Sequence, residues 1–303
     1  MNNSAERWRR EEMEWWEKNA LIMTYQWKLT PELNTILRKD LEDDYISYLF
    51  KPGGRLLDLG CGSGWLSLLF AQKGMSVLGI DFSREQIDAA ENNKLENKIE
   101  SAHFECCDLV TWDCETFKEQ FDSVFVNAFL HHLPADDIEK IMEKISSVIK
   151  PGGRVYLYEP MTSASSRKTI LTHFLDAVFN RSIGLLVGRL PQWLHLWTPE
   201  FQKMTNDGYT GSSPHERPLD IEWVQTNCLQ SLGVSEVKCW HLYSLCFAMQ
   251  AMVMKPPIQY LYFRLARLLY CIDRMILSQV DWTEFADPNR FILCSLKLEK
   301  SKL

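Results

Sequence analysis

The chain has 303 residues, 46% of them hydrophobic, with a formal net charge of -7 and a pI near 5.6. That is enough apolar material for one large core with a lid, and it excludes a fibre, a repeat array or a disordered tail. The basic cluster Arg7–Arg10 is short, broken by Trp8 and followed at once by acids, so no nucleic acid is expected as a partner.

Residues 4–19 read as a helix carrying Trp8, Trp15 and Trp16. A second helix is expected from Pro31, with Leu33, Ile36, Leu37, Leu41, Tyr45, Tyr48 and Leu49 at three-and-four spacing. The period then changes. A strand over Leu56–Leu59, a Gly-rich turn, a helix over Trp65–Gln72 and a strand over Ser76–Ile80 follow. The next helix starts at Ser83, where Ser83 and Gln86 have the spacing of a capping box. Strands are expected at His103–Cys106 and Ser123–Asn127, then a helix with Ile138, Ile141, Met142, Ile145, Val148 and Ile149 on one face. Pro151-Gly152-Gly153 ends that helix, and Arg154–Glu159 is the next strand.

After Glu159 the alternation breaks. Residues 161–218 suggest helical stretches with His173, Phe174, Phe179, Trp193, His195 and Trp197, closed by a Gly/Ser/Pro-rich loop over Asp207–Pro214. A helix Asp220–Leu232, a strand Val234–Tyr243 and a strand Phe291–Leu298 complete the pattern, with an apolar helical stretch near 245–277 between the two strands. Strands alternating with helices imply a parallel sheet. The expected division is a helical lid segment over 1–50, a Rossmann-like core over 51–160, a lid insertion over 161–218, and completion of the sheet over 219–303 with an apolar helical insertion at about 245–285.

Nine cysteines give neither metal-ligand spacing nor a disulfide framework, so a reducing compartment fits and no metal is expected. The N-terminus lacks the apolar core of a signal peptide. The longest apolar run, Pro256–Leu277, contains Arg264, Arg267, Asp273 and Arg274, too many charges for a spanning helix. A soluble, cytoplasmic protein is the expectation. Ser301-Lys302-Leu303 spells a peroxisomal address that has meaning only in a eukaryotic cell, and a Lys-rich tail is the plainer account.

The chemistry concentrates in Leu56-Leu57-Asp58-Leu59-Gly60-Cys61-Gly62-Ser63-Gly64-Trp65. Glycines there permit positive φ and let backbone N–H groups approach a ligand at a helix N-terminus. A dinucleotide site spaces its glycines G-x-G-x-x-G for a pyrophosphate. Here the spacing is G-x-G-x-G, and Asp58 precedes it with a carboxylate that suits an ammonium group.

These residues resemble the class I S-adenosylmethionine (SAM)-dependent methyltransferase family, small-molecule type, over roughly 51–160. Asp58, Gly60, Cys61, Gly62 and Gly64 match the first motif, which in relatives wraps the methionine part of the cofactor. Asp81 matches the acid that takes both ribose hydroxyls, and Phe82 the residue against the adenine. Cys107, Asp108 and Leu109 match the segment whose Asp accepts from the adenine amino group, and Phe121-Asp122 through Asn127 to Leu133 matches the fourth-strand motif. Ile149-Lys150-Pro151-Gly152-Gly153 matches the motif before strand five. The resemblance implies a doubly wound α/β sheet of seven strands, order 3-2-1-4-5-7-6 with strand seven antiparallel, under a mainly helical lid. It also implies SAM as cofactor.

Methyl transfer from a sulfonium needs donor and acceptor held in line in a water-poor site, and a base only when the acceptor is a hydroxyl or acidic carbon. His131, His132 and Glu159 follow strands four and five at the sheet edge where ligands bind, and are the candidate catalytic residues, with packing and turn capping as the alternative role. Asn127 lacks a following Pro-Pro, so the signature of base-amine methylation is missing, and no paired acids stand at strand four for the magnesium of the catechol type. A small, aromatic or lipid-like acceptor is expected, with O- or C-methylation favoured. Trp15, Trp16, Tyr25 and Trp27 would close over the cofactor. For the amphipathic stretch with Leu261, Leu265, Leu268, Leu269, Ile272 and Ile276 near Arg264 and Arg267, the open readings are lid packing, a homodimer contact, an acceptor pocket or peripheral membrane contact. The alternatives to an active methyltransferase are a non-catalytic SAM-binding scaffold and a nicotinamide-dependent oxidoreductase.

Overall fold

A computed structural model of the chain describes residues 3–28, 31–187, 213–229, 232–245, 247–248, 254–286 and 292–302; the side chains of 3, 19–38, 180 and 182–187 are outside the description. Tyr25, Trp27, Trp193, His195 and Trp197 therefore lie outside the described side chains.

Two helices open the chain, α1 (Asn3–Lys28) and α2 (Pro31–Leu49). Then strands and helices alternate as β1 (Arg55–Leu59), α3 (Trp65–Gln72), β2 (Ser76–Asp81), α4 (Arg84–Glu96), β3 (Ala102–Cys106), β4 (Phe121–Asn127), α5 (Ala135–Val148) and β5 (Ile149–Thr162). The rest comprises α6 (Ile170–Val187), β6 (Leu219–Asp220), α7 (Ile221–Asn227), β7 (Leu232–His241), α8 (Ile258–Leu277) and β8 (Ile292–Lys300).

The sheet runs β3-β2-β1-β4-β5-β8-β7. β1 to β5 are mutually parallel, and β8 is antiparallel to both its neighbours, β5 and β7. An eighth strand stands beside the seven expected: β6, two residues pairing with Met161 and Thr162 at the end of β5. Two residues carry no periodicity, so the sequence pattern has no signal for it. Asp220 ends β6 and caps α7, accepting from Trp223 N–H at 2.8 Å, and the helix stops at Asn227 rather than reaching Leu232. β5 begins at Ile149 and absorbs Pro151-Gly152-Gly153 in a bulge between the Phe121–Ile149 and Ser123–Arg154 pairings.

The central strands are buried on both faces, hence their continuous apolar runs. Alternation along each strand then divides the side chains between two cores. Leu57, Leu59, Val124, Val126, Val155 and Leu157 join the face covered by α5, with Ile138, Ile141, Met142, Ile145 and Val148. Leu56, Phe125, Tyr156 and Tyr158 join the opposite face, with Tyr45 and Leu49 of α2 and Leu66 and Phe70 of α3. Each fully buried side chain of this kind contributes roughly 1.5–3 kcal/mol. The chain leaves β1 toward β2 and β3, then returns to lay β4 on the other side. That reversal opens a crevice beyond the carboxyl ends of β1 and β4.

Among the described residues, no helix is long and apolar enough to cross a membrane.

Candidate functional site

A cavity of about 460 Å³ occupies this crevice. Its floor is the turn after β1. Gly60 holds φ +69, and a Cβ there would come within 2.8 Å of Phe129 Cβ. Gly64, at φ +74, is the N-cap of α3, where a Cβ would meet the Phe104 ring at 2.6 Å. Both positions need glycine for conformation and for space. Gly60, Cys61 and Gly62 line the cavity, whereas Gly64 packs behind it. Burial, reinforced by the nearby Asp81 and Asp58 charges, pushes the Cys61 thiol well above its usual range, which leaves it a packing group.

Asp81 ends β2 on the cavity wall. Its Oδ2 accepts from Gly62 N–H at 3.0 Å and its Oδ1 from Ser83 N–H at 2.9 Å, so one carboxylate fixes both the glycine turn and the start of α4. Ser83 caps α4 by accepting from Gln86 N–H at 3.4 Å; Asp81 makes the bond to Ser83 N–H that the expected capping box assigns to Gln86. Burial pushes the Asp81 carboxyl up despite those two N–H donors. Phe82, Cys107, Asp108 and Leu109 continue the same wall, and Asp108 Oδ1 accepts from Val110 N–H at 2.9 Å. Asp58 does not reach the cavity. It is 1% exposed beneath the turn, accepts the Ser67 hydroxyl at 2.6 Å, and is pushed by burial to a pKa of about 7.

The facing wall comes from the end of β4. Asn127, Phe129, His132 and Leu133 line it. Ala128 holds φ +51, a left-handed conformation that costs a non-glycine residue about 1 kcal/mol and that no sequence pattern announced. His131 and Glu159 are placed behind this wall rather than in it. Glu159 is fully buried, takes the N–H groups of Phe129 and Leu130 at 2.8 and 2.9 Å on Oε1, and lies 2.7 Å from His131 Nδ1 on Oε2. Of the three candidate catalytic side chains, His132 alone lines the cavity.

The roof is a face of α1. Arg9, Glu12, Met13 and Trp16 turn one stripe of the helix into the cavity. Trp16 was among the aromatics expected to close over the cleft; Arg9, Glu12 and Met13 were missed, although their spacing of three and four with Trp16 is the signal that joins them. Several contacts pin the roof. Trp8 Nε1 donates to His132 O at 2.8 Å, the Trp8 ring stacks on His215 at 4.2 Å, and Arg217 lies 4.9 Å over Trp8. Arg9 stands 3.6 Å from Asp137 of α5. Among the described residues, no group of three or more His, Cys, Asp or Glu is placed to hold a metal ion.

Comparison with known proteins gives the same region. Residues 56–153 match the family model of a methyltransferase domain. A ubiquinone biosynthesis O-methyltransferase of Aeromonas salmonicida is 31% identical over 143 residues, 47% of this chain and 55% of the relative. The mitochondrial protein of that name from Homo sapiens is 32% identical over 150 residues, 48% of this chain and 37% of the relative. The match thus spans about half the length of the bacterial relative and less of the human one. Among solved structures, the cyclase SpnF aligns with a TM-score of 0.54 at 15% identity, over 86% of this chain and 81% of its own. Geranyl diphosphate C-methyltransferase from Streptomyces coelicolor A3(2) aligns at 0.53 and 13% identity, over 91% and 85%. At those identities the likeness is one of fold.

Proposed function

We infer that this chain, whose residues 56–153 form a methyltransferase domain of the class I SAM-dependent type, binds SAM in the cavity and transfers its methyl group to an oxygen of a small aromatic acceptor. The observation that carries the reading is the convergence of the Gly60–Gly62 turn, Asp81 and Asp108 on one wall, with His132 on the facing wall of the same cavity. Two carboxylates set apart along one wall suit the hydroxyls of a ribose and the amino group of an adenine, and the positive-φ turn lets backbone approach the rest of the ligand. When bound, SAM supplies an electrophilic methyl group on a sulfonium.

The residues of the chain do the remaining work. Phe82 lines the wall where a base would lie, and α1 covers the cavity, so donor and acceptor would be held together at about 3–3.5 Å. Met13, Trp16, Phe129 and Leu133 give the acceptor side an apolar lining, with His132 and Glu12 beside it. A hydroxyl acceptor must lose a proton as it attacks, and a neutral imidazole serves that purpose. The O-methyltransferase names of the relatives support oxygen as the acceptor atom.

Calorimetry with SAM and with its demethylated product tests binding, and Asp81→Ala is expected to abolish the heat with both. Because a cyclase shares the fold, transfer is measured separately, with methyl-labelled SAM and 3,4-dihydroxybenzoate as a simple catechol. Heat with neither ligand would overturn the reading.

A further inference from the structure

His132 differs from the other buried histidines in how its ring is held. Nδ1 lies 2.8 Å from Ser213 Oγ and 3.3 Å from Glu12 Oε2. Trp16 meets the ring edge-on at 5.2 Å and His131 lies against it at 3.9 Å. Among the described residues Nε2 has no hydrogen-bond partner, and the ring lines the cavity. Glu12 is itself 3% exposed, and its second oxygen accepts from His215 N–H at 2.7 Å. A carboxylate is therefore buried on α1, oriented by a backbone donor, and set 3.3 Å from His132 Nδ1.

A neutral imidazole carries one proton, and the two nitrogens compete for it. With the proton on Nε2, the Ser213 hydroxyl would have to turn its own proton to Nδ1, and Glu12 Oε2, 3.3 Å from that nitrogen and buried without a hydrogen-bond partner among the described residues, would face the Nδ1 lone pair, an arrangement that low polarity makes costly. With the proton on Nδ1, the contact with Glu12 is attractive and the Nε2 lone pair is left without a partner among the described residues, on a ring that lines the cavity. We propose that Glu12 is a positioning residue that holds His132 in the Nδ1–H tautomer, so that Nε2 is the proton acceptor and the seating of α1 over the cleft is what makes it one. This rests on the methyl-transfer reading and extends it to a residue outside residues 56–153.

The step balances. The acceptor hydroxyl gives its proton to His132 Nε2 while its oxygen forms the new bond to the methyl carbon; the carbon–sulfur bond breaks with its electron pair going to sulfur. The resulting imidazolium faces Glu12 across Nδ1. The other ionisable groups around the ring are His131, at its face, and Glu159 of β5 beyond it; Arg9 of α1 is turned to Asp137. Burial pushes Glu12 up, but the His132 contact and the His215 N–H outweigh it and hold the carboxyl below its usual range. Burial lowers His132 and Glu12 opposes that lowering. The two directions describe a carboxylate beside a neutral ring.

The test is 15N NMR of the imidazole nitrogens in the full chain, with His132 assigned through its backbone. The wild type is expected to show His132 as the Nδ1–H tautomer, and Glu12→Gln to lower the His132 pKa by about half a unit or more. An Nε2–H tautomer in the wild type, or an unchanged His132 titration in Glu12→Gln, would overturn the proposal. The wild-type tautomer decides even where the variant fails to fold. Absence of ligand heat in the wild type would sink the methyl-transfer reading instead, and is read independently of the tautomer.

Discussion

Glu159 and His131 form a closed pair: the carboxylate Oε2 lies 2.7 Å from the ring Nδ1, and Oε1 takes the N–H groups of Phe129 and Leu130. Glu159 lies within the fifth strand, one residue past its last pairing with the fourth at Asn127–Tyr158, and His131 follows the fourth, so the contact ties the two elements together beyond their shared ladder. It aims the turn that carries Phe129 and His132 into the cavity.

Glu159→Ala is therefore expected to act on stability. Three donors lose their acceptor in a fully buried place, a loss of about 3 kcal/mol, and the midpoint of urea unfolding should fall accordingly. A variant with wild-type stability and no methyl transfer would instead put Glu159 in the chemistry.

His241 predicts a specific acid sensitivity. Burial, helped by the Arg274 charge, lowers it to a pKa of about 4, and its Nδ1 lies 3.1 Å from Ser244 Oγ. The unfolded chain takes up that proton near pH ~6.5 and the folded chain only near 4, so the unfolded state holds more protons in between. The group's contribution is complete above ~6.5 and drains as pH falls toward 4, by about 3 kcal/mol in all. His241→Gln, which cannot charge, should flatten this part of the stability curve; an unchanged slope between these values would refute the assignment.

Asp58 predicts the opposite slope. Its folded pKa of about 7 exceeds the ordinary carboxyl value near ~4, so here the folded state holds the extra proton. Stability from this group is greatest at the acidic end and declines as pH rises from ~4 to 7, by about 4 kcal/mol, then levels off. Asp58→Asn keeps an acceptor for the Ser67 hydroxyl and should remove the decline, read as a smaller difference between melting temperatures at pH 5 and pH 8. Equal differences in both proteins would count against it.

How much of this was legible beforehand follows the physics of each residue. The strand–turn–helix crossing at 56–72 was readable because glycine spacing and a buried apolar run are both local signals. So were Asp81 and Asp108, which sit at strand ends where a sheet places its ligand. The separation of His132 from His131 was not, since adjacent residues in one short turn differ only in which way the turn faces. Glu12 was invisible for a related reason: an acid on an amphipathic helix reads as solvent-facing until something is known to cover it, and its partner His215 is 203 residues away. β6 was too short to carry any pattern.

The placement of β8 between β5 and β7 has a consequence for how the molecule comes into being. During synthesis β7 emerges without its partner, since among the described residues its ladder is to residues 292–300, more than fifty positions downstream of its own end. Until that segment leaves the ribosome, the flank of β5 also stays open, an unsatisfied edge of the kind that recruits other chains. Premature termination in that window should yield an aggregating product rather than a merely destabilised one.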